Sequence, residues 1–149
     1  MKIILISIIT LLLLGLLAYI VMAILSQKSP DDLGLQNQQL RPCPDSPNCV
    51  CSEKQPQQNS EHDISPIQGD QAVWDKLISI IQKQGGNIIS QQNNYLHATF
   101  STSIMHYVDD VELRFDQAKQ TIHMRSASRV GRKDFGINRN RVEAIQQAL

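Results

Sequence analysis

Residues 3–25 constrain this chain more than any other segment, because they contain no charged side chain. Only four residues interrupt the aliphatic run, namely Ser7, Thr10, Gly15 and Tyr19. As an α-helix the run would be about 35 Å long, slightly more than the hydrocarbon core of a bilayer, which is about 30 Å thick. The sequence therefore predicts that residues 1–27 form a transmembrane anchor.

A cleaved signal peptide is the alternative interpretation of this segment, with Lys2 as its basic start and Val21-Met22-Ala23 as its cleavage site. Signal peptides have an apolar region of about 7–15 residues, which is shorter than this run, so we favour an uncleaved anchor over secretion after cleavage. One lysine on each side of the run, Lys2 and Lys28, gives little information on orientation. A hydrophobic segment so close to the N-terminus usually leaves the C-terminus outside the cytoplasm. We therefore expect a single-pass protein of the bacterial inner membrane with its C-terminal domain in the periplasm.

The composition of the remaining chain excludes one class of function and predicts a linker. Because 14 basic residues balance 14 acidic residues, a polybasic nucleic-acid binder is not expected. Residues 28–60 are rich in Pro and Gln and poor in large apolar residues, which predicts a tether that cannot order itself. Within it, residues 41–52 contain three prolines and three cysteines, a motif too specific for a simple spacer.

The hydrophobic periodicity of residues 61–149 predicts an α+β domain. Asp70 can cap a helix over residues 71–84, where apolar side chains recur at helical spacing. Four alternating strands follow, starting near residues 88, 95, 107 and 121, and the apolar face of the second strand can extend to Ile104. A last helix from about Asn140 to Leu149 would begin with a capping box of Asn140 and Glu143. The short connections favour a two-layer α-β-β-β-β-α domain, in which an antiparallel four-stranded sheet carries both helices on one face.

Positive charge concentrates in the C-terminal part of this domain. Six basic side chains lie between residues 125 and 141 with Asp134 as the one acid, a local charge of about +5. Helix N-termini and glycine-containing loops also attract anions, and two serines add hydroxyl groups. A solvated basic surface is the alternative interpretation. The functional interpretation predicts an anion site formed by Arg125, Ser126, Ser128, Arg129, Arg132, Arg139 and Arg141.

Asp109 has the same strand parity as Val111, Leu113 and Phe115, so it should point to the apolar side of the sheet. A buried carboxylate needs a partner, and a guanidinium group can bind one with two parallel hydrogen bonds. We therefore predict that three carboxylates organise the arginines: Asp109, Asp110 and Asp134. The alternative is that Asp109 and Asp110 only attach the sheet to the C-terminal loop.

The cysteines permit three interpretations. Outside the cytoplasm, a disulfide between Cys43 and Cys49 would close a proline-stiffened loop and leave Cys51 as the odd thiol. A metal site of the three thiolates with His62 is the second interpretation, although the spacing is not that of a zinc finger or ribbon. A nucleophilic Cys-His pair is the third. We expect the disulfide and predict neither a metal nor a cofactor.

Three stretches together resemble a known family, the domain of unknown function 1499. They are 43–50, then 95–98 with 108–112, and finally 125–132 followed by Asp134 and residues 136–139. The resemblance covers about Arg41 to Leu149, and it departs at Cys51, where the family suggests a small residue such as serine. It implies an envelope or chloroplast-type protein behind a signal or membrane segment, and it implies no reaction.

These observations lead to three hypotheses about function. The first is a non-catalytic, membrane-anchored module that binds an anionic small molecule, lipid headgroup or envelope protein, mainly through Arg129, Arg132 and Arg139. The second is an envelope assembly or scaffolding protein. The third and weakest is a hydrolase of an anionic substrate with Asp109 or Asp110 as base, since neither a nucleophile-base pair nor a metal motif supports it.

Overall fold

A computed structural model describes residues 1–53 and 60–149 of the chain. Helix α1 spans Lys2–Gln27 and contains the apolar run, as predicted. Its most apolar window of 18 residues has a mean hydropathy of 2.9, and none of that window is buried. The helix is therefore long and apolar enough to cross a membrane or to act as a signal sequence.

The segment after α1 forms short elements instead of remaining without structure. Strands β1 (Leu35–Gln36) and β2 (Gln39–Leu40) pair as a small antiparallel ribbon. Strand β3 (Cys49–Cys51) is followed by a 3₁₀ turn at Ser60–His62 and by β4 (Ile67–Gln68). The predicted tether of residues 28–60 thus contains three strands within its described part, while its residues 54–59 lie outside the described residues.

The two helices and four strands predicted from periodicity follow in the predicted order. Helix α2 spans Gln71–Lys83, and the Asp70 carboxylate caps it by accepting hydrogen bonds from the amides of Ala72 and Val73. The four longer strands are β5 (Asn87–Gln91), β6 (Tyr95–Ser101), β7 (Val108–Asp116) and β8 (Thr121–Ser128). They form the antiparallel meander that the short connections require.

The predicted number of strands in the sheet was wrong. Within the described residues the sheet has six strands, in the order β3-β8-β7-β6-β5, with β4 also paired to β8. Strands β3 and β4 share the outer edge of β8, where Cys51 lies opposite Arg125 and Ile67 opposite Ile122. The sequence did not predict them because strands of two or three residues have no periodicity to detect.

The start of helix α3 (Ile137–Gln147) also differs from the prediction. The helix begins three residues before Asn140, and Gly136 at its N-cap has a positive φ of 81°. The Asp134 carboxylate accepts hydrogen bonds from the amides of Gly136 and Asn138, so it performs the capping that we assigned to Asn140 and Glu143. The cap was missed because Asp134 lies two residues before the N-cap Gly136, outside the position that the usual capping pattern describes.

Both helices pack on one face of the sheet, as predicted. Trp74 and Leu77 of α2 and Val142 and Ile145 of α3 join one core with the inward residues of β6, β7 and β8. We call this side the helix face. The opposite face is covered by residues 28–48, between α1 and β3, which we call the upstream segment. Its Leu40 packs in a smaller cluster with Cys51 and Tyr95.

Candidate functional site

The predicted arginine-rich site is divided between the two faces of the sheet. Successive residues of β8 point to opposite sides, so Ser126 lies on the helix face and Arg125 on the opposite face. The carboxylates divide in the same way, with Asp109 on the helix face and Asp110 on the opposite face. A single site containing all seven predicted residues is therefore absent from the part of the chain that the structure describes.

On the helix face, Arg141 of α3 binds the predicted carboxylate. Its Nη2 donates to Asp109 at 2.6 Å, and its Nη1 donates to Ser126 Oγ at 3.1 Å. The guanidinium group also lies 4.8 Å from the centre of the Phe100 ring. Asp109 therefore lies on the helix face, where Arg141 binds its carboxylate.

Asn138 at the start of α3 completes this cluster, and sequence reasoning did not select it. The side chain is fully buried, and its Nδ2 donates to the Asn48 carbonyl, Ser128 Oγ and Asp134 Oδ2 at 2.9–3.0 Å. Its Oδ1 accepts from Ser126 Oγ at 2.6 Å. The polar groups of the cluster therefore bind each other, which indicates that it fastens α3 and the disulfide loop to the sheet.

On the opposite face, Asp110 binds two partners. Arg129 makes two hydrogen bonds to its carboxylate at 2.7 and 2.9 Å, and His97 Nε2 lies 2.7 Å from Oδ1. Burial alone would raise the pKa of Asp110, but the hydrogen bonds from His97 and Arg129 outweigh it and hold the pKa below the ordinary value. Asp110 is therefore a buried anion held by a cation.

Arg129 also connects the domain to the end of α1. Its Nη1 donates to the carbonyl oxygens of Ser26 and Gln27 at 3.2 and 3.1 Å. These carbonyls belong to the last turn of the helix, where the unpaired acceptors and the helix dipole favour a cation. The predicted ligand residue Arg129 thus has a structural role at the end of the apolar helix.

Glu112 is the second carboxylate on this face, and we did not predict a role for it. It is fully buried and accepts hydrogen bonds from Arg125 Nη1 at 3.0 Å, Tyr95 Oη at 2.8 Å and the Gly34 amide at 3.0 Å. Burial and the neighbouring Glu112 carboxylate raise the pKa of Tyr95, so its hydroxyl stays protonated as a donor. The parity of β7, which places Glu112 beside Asp110 on one face, was the available signal.

A cavity of about 370 Å³ opens between this face and the upstream segment. We call it the arginine cavity, because Arg41, Arg125 and Arg129 line it together with Asp32 and Asp110. Arg41 forms an ion pair with Asp32, and its Nε lies 3.9 Å from Glu112 Oε2. Within the described residues, the Nε atoms of Arg41 and Arg125 are buried and have no hydrogen-bond partner. Buried donors of this kind are unfavourable until an acceptor reaches them.

Three other predicted residues lie away from the arginine cavity. Arg132 is exposed in the loop before α3. Arg139 donates to the backbone carbonyls of Glu61 and Asp63 at 2.9 and 3.0 Å, so it attaches α3 to the segment before β4. Asp134 caps α3. Arg41 lies in the predicted tether and was not among the predicted site residues, yet it lines the arginine cavity.

The cysteines follow the first of the three interpretations. A disulfide joins Cys43 and Cys49 beside the arginine cavity. Cys51 is buried on β3, and burial raises the pKa of its thiol to about 11, which disfavours a nucleophilic thiolate. His62 Nδ1 contacts the Cys49 carbonyl at 2.9 Å. Among the described residues, no group of three or more His, Cys, Asp or Glu side chains could hold a metal ion.

Comparison with protein families identifies the domain. The family DUF1499, described as a protein of unknown function, matches residues 39–149. The chain belongs to this family. The match begins at β2, so the DUF1499 domain includes Leu40 and Arg41 of the segment that covers the opposite face, whereas Asp32 lies before the match. No curated protein and no solved structure matches the chain.

Proposed function

We propose that this DUF1499 protein is a membrane-anchored, exoplasmic module that binds an anionic group in the arginine cavity. The observation that carries the proposal is the pair of buried Nε donors of Arg41 and Arg125, which have no acceptor among the described residues. Arg125 is only 3% exposed, yet it lines the cavity. A phosphate or carboxylate group would supply the missing acceptors.

Asp32 would compete with such a ligand for Arg41, because it already forms an ion pair with this arginine. Asp32 and Asp110 line the cavity together with the arginines, and Glu112 pairs with Arg125. The net charge of the cavity is therefore small, and ligand binding depends on the hydrogen-bond donors that the arginines leave unpaired. The Asp32 side chain is 60% exposed, whereas the Asp110 side chain is 2% exposed. Asp32 is therefore the carboxylate that a ligand can displace from Arg41.

Two features support the exoplasmic location. The disulfide between Cys43 and Cys49 is of a kind that persists in oxidising compartments and is rare in the cytoplasm. Helix α1 contacts the domain through Arg129, which binds the last turn of the helix and so supports the membrane anchor. The bacterial inner membrane with the domain in the periplasm agrees with both features.

A hydrolytic role has less support from the same geometry. Asp109 and Asp110, the two carboxylates proposed as bases, are each bound to an arginine at 2.6–2.7 Å. A carboxylate whose pKa is held below the ordinary value, as for Asp110, is a weak base at neutral pH. The binding function therefore explains the described contacts better.

Calorimetric titration of the full-length protein in a non-ionic detergent with inorganic phosphate tests the proposal. Arg41→Gln should weaken binding about 10- to 150-fold, because a hydrogen bond to a charged group contributes about 1.5–3 kcal/mol. Asp32→Asn should strengthen binding about twofold, because an exposed ion pair contributes less than about 1 kcal/mol.

Arg132→Gln is the matched control, because it removes an exposed arginine outside the cavity and should leave the affinity unchanged. Native mass spectrometry should also detect an anionic species that co-purifies with the wild-type protein. Equal weakening by Arg41→Gln and Arg132→Gln would show a non-specific charge effect. Weaker binding in Asp32→Asn would contradict the role of Asp32 as competitor.

Reporter fusions at the C-terminus test the proposed location. Alkaline phosphatase, which is active only after export, should be active when fused after Leu149, and green fluorescent protein at the same position should be dark when exported through the general secretory route. Cell fractionation should place the uncleaved chain in the membrane. A fluorescent fusion with inactive phosphatase would place the domain in the cytoplasm.

A further inference from the structure

The exposed apolar side chains of the domain are concentrated in one area. After α1, six large apolar side chains of the described residues are exposed, and four of them lie in loop 102–107 or near the start of α3. Their exposed fractions are 81% for Ile104, 43% for Met105, 92% for Phe135 and 44% for Ile137. We call these four residues the apolar patch. Such a concentration on a small domain marks an interaction surface.

The two parts of the apolar patch are neighbours in space. Met105, Phe135 and Ile137 line one cavity of about 290 Å³. Ile104 precedes Met105 at the tip of the loop between β6 and β7. Lys133, which lines the same cavity, and Arg132 are exposed beside Phe135. The patch therefore combines apolar side chains with cations at its edge.

The loop of the apolar patch lies against helix α1. Tyr19 Oη donates to the Ile104 carbonyl at 3.0 Å, and Gln27 Nε2 donates to the His106 carbonyl at 2.9 Å. The rings of Tyr19 and Tyr107 are 6.2 Å apart between their centroids. Tyr19 lies six residues before Leu25, so it is about 9 Å inside the end of the apolar run, and its hydroxyl group binds the Ile104 carbonyl near that level. The medium that surrounds α1 at Tyr19 therefore also surrounds Ile104.

We propose that the apolar patch inserts into the same membrane leaflet that α1 leaves, at the boundary between headgroups and acyl chains. The inference rests on the proposed membrane embedding of α1. Exposed Ile and Phe side chains gain free energy at this boundary, where tyrosines such as Tyr19 are also common. Arg132 and Lys133 would extend to the lipid phosphates.

Backbone hydrogen bonds limit the depth of insertion. Within the loop, the Thr102 amide donates to the Tyr107 carbonyl at 2.9 Å, and the His106 amide donates to the Thr102 carbonyl at 3.0 Å. The carbonyls of Ile104 and His106 accept from α1. Irregular backbone does not occur in the lipid-exposed hydrocarbon core, so the partly paired loop belongs at the boundary rather than deeper.

Quenching of tryptophan fluorescence by brominated phosphatidylcholine tests the inference. Three variants of the full-length protein, Leu14→Trp, Ile104→Trp and Ala118→Trp, are reconstituted in phosphatidylcholine nanodiscs. Leu14 marks the middle of α1, and Ala118 lies in the turn at the far end of β7. The single native tryptophan, Trp74, is 1% exposed, and wild-type protein measures its background signal.

We expect Ile104→Trp to be quenched most by lipids brominated near the carbonyl end of the chain, and Leu14→Trp by lipids brominated near the chain terminus. Ala118→Trp should remain unquenched. If Leu14→Trp is quenched while Ile104→Trp matches Ala118→Trp, the insertion of the apolar patch is contradicted but the membrane anchor is not. The apolar patch then fits a protein partner instead. If Leu14→Trp is unquenched as well, α1 is not embedded, and both the inference and the proposed anchor fail.

Discussion

The two faces of the sheet are buried by different means. The helix face is covered by α2 and α3 over an apolar core, with one polar cluster at its edge around Asn138. The opposite face is covered by the upstream segment, and its buried side chains include Asp110, Glu112 and Arg125. Burying ion pairs is costly because both charges lose water, and apolar residues of similar volume are often as stable or more stable. Apolar burial therefore stabilises the helix face, whereas the opposite face depends on buried ion pairs that must stay paired.

Substitutions at two neighbouring residues of β7 should produce the largest effects in this comparison. Glu112→Gln should lower the free energy of unfolding by about 3–5 kcal/mol, because Arg125 would remain buried without a counter-charge. Leu113→Ala on the helix face should cost about 2–5 kcal/mol, since it removes apolar contacts and leaves a cavity. Urea unfolding in detergent, followed by the fluorescence of Trp74, measures both.

A second substitution tests whether the unpaired charge of Arg125 causes the loss of stability in Glu112→Gln. Adding Arg125→Met to Glu112→Gln should recover part of the stability, because the unpaired charge disappears, and it should abolish phosphate binding. Relative to Glu112→Gln alone, the double variant would then be more stable but would no longer bind phosphate. If the double variant is no more stable than Glu112→Gln alone, the cost does not come from the unpaired charge, and the contrast between the faces is lost.

Lowering the pH should reduce the free energy of unfolding through Asp110 on the opposite face. We expect this loss to be smaller than the losses caused by Glu112→Gln and Leu113→Ala. The pKa of Asp110 is lowered in the folded protein, so its contribution to stability is present above the ordinary value of 3.8 and is lost as the pH falls through the lower folded value. Urea unfolding of the wild type should therefore show a decrease in stability below about pH 4.

Asp110→Asn is the control for this titration. The variant should be less stable than the wild type at neutral pH, and it should lose less further stability on acidification, because the titrating group is gone. An equal acid-induced loss in the two proteins would show that other carboxylates cause it.

Local signals in the sequence predicted much of the helix face. Asp70 precedes a periodic apolar pattern, and α2 begins directly after it. The alternation of β7 placed Asp109 on the apolar side, where Arg141 binds it. In each case the predicted feature, a helix start or the face to which a side chain points, depends only on residues nearby in sequence.

Other features depend on contacts that no local pattern contains. Ile104 follows the apolar face of β6 in sequence, yet it lies in the next loop, where Tyr19 binds its carbonyl. Arg41 belongs to a polar stretch, and only the docking of that stretch on the sheet brings it to Arg125. The positions of Ile104 and Arg41 therefore depend on contacts with residues more than 80 positions away in the chain, Tyr19 and Arg125 respectively.

The sequence alone determined the apolar helix, the capped helix α2, the antiparallel meander and the family, because each depends on composition, periodicity or a contiguous motif. The tertiary structure decided which arginines meet which carboxylates, that β3 and β4 complete the sheet edge, and that Arg129 caps α1. The physical reason is that parity assigns a side chain to a face, whereas only long-range packing selects the partner that it meets there.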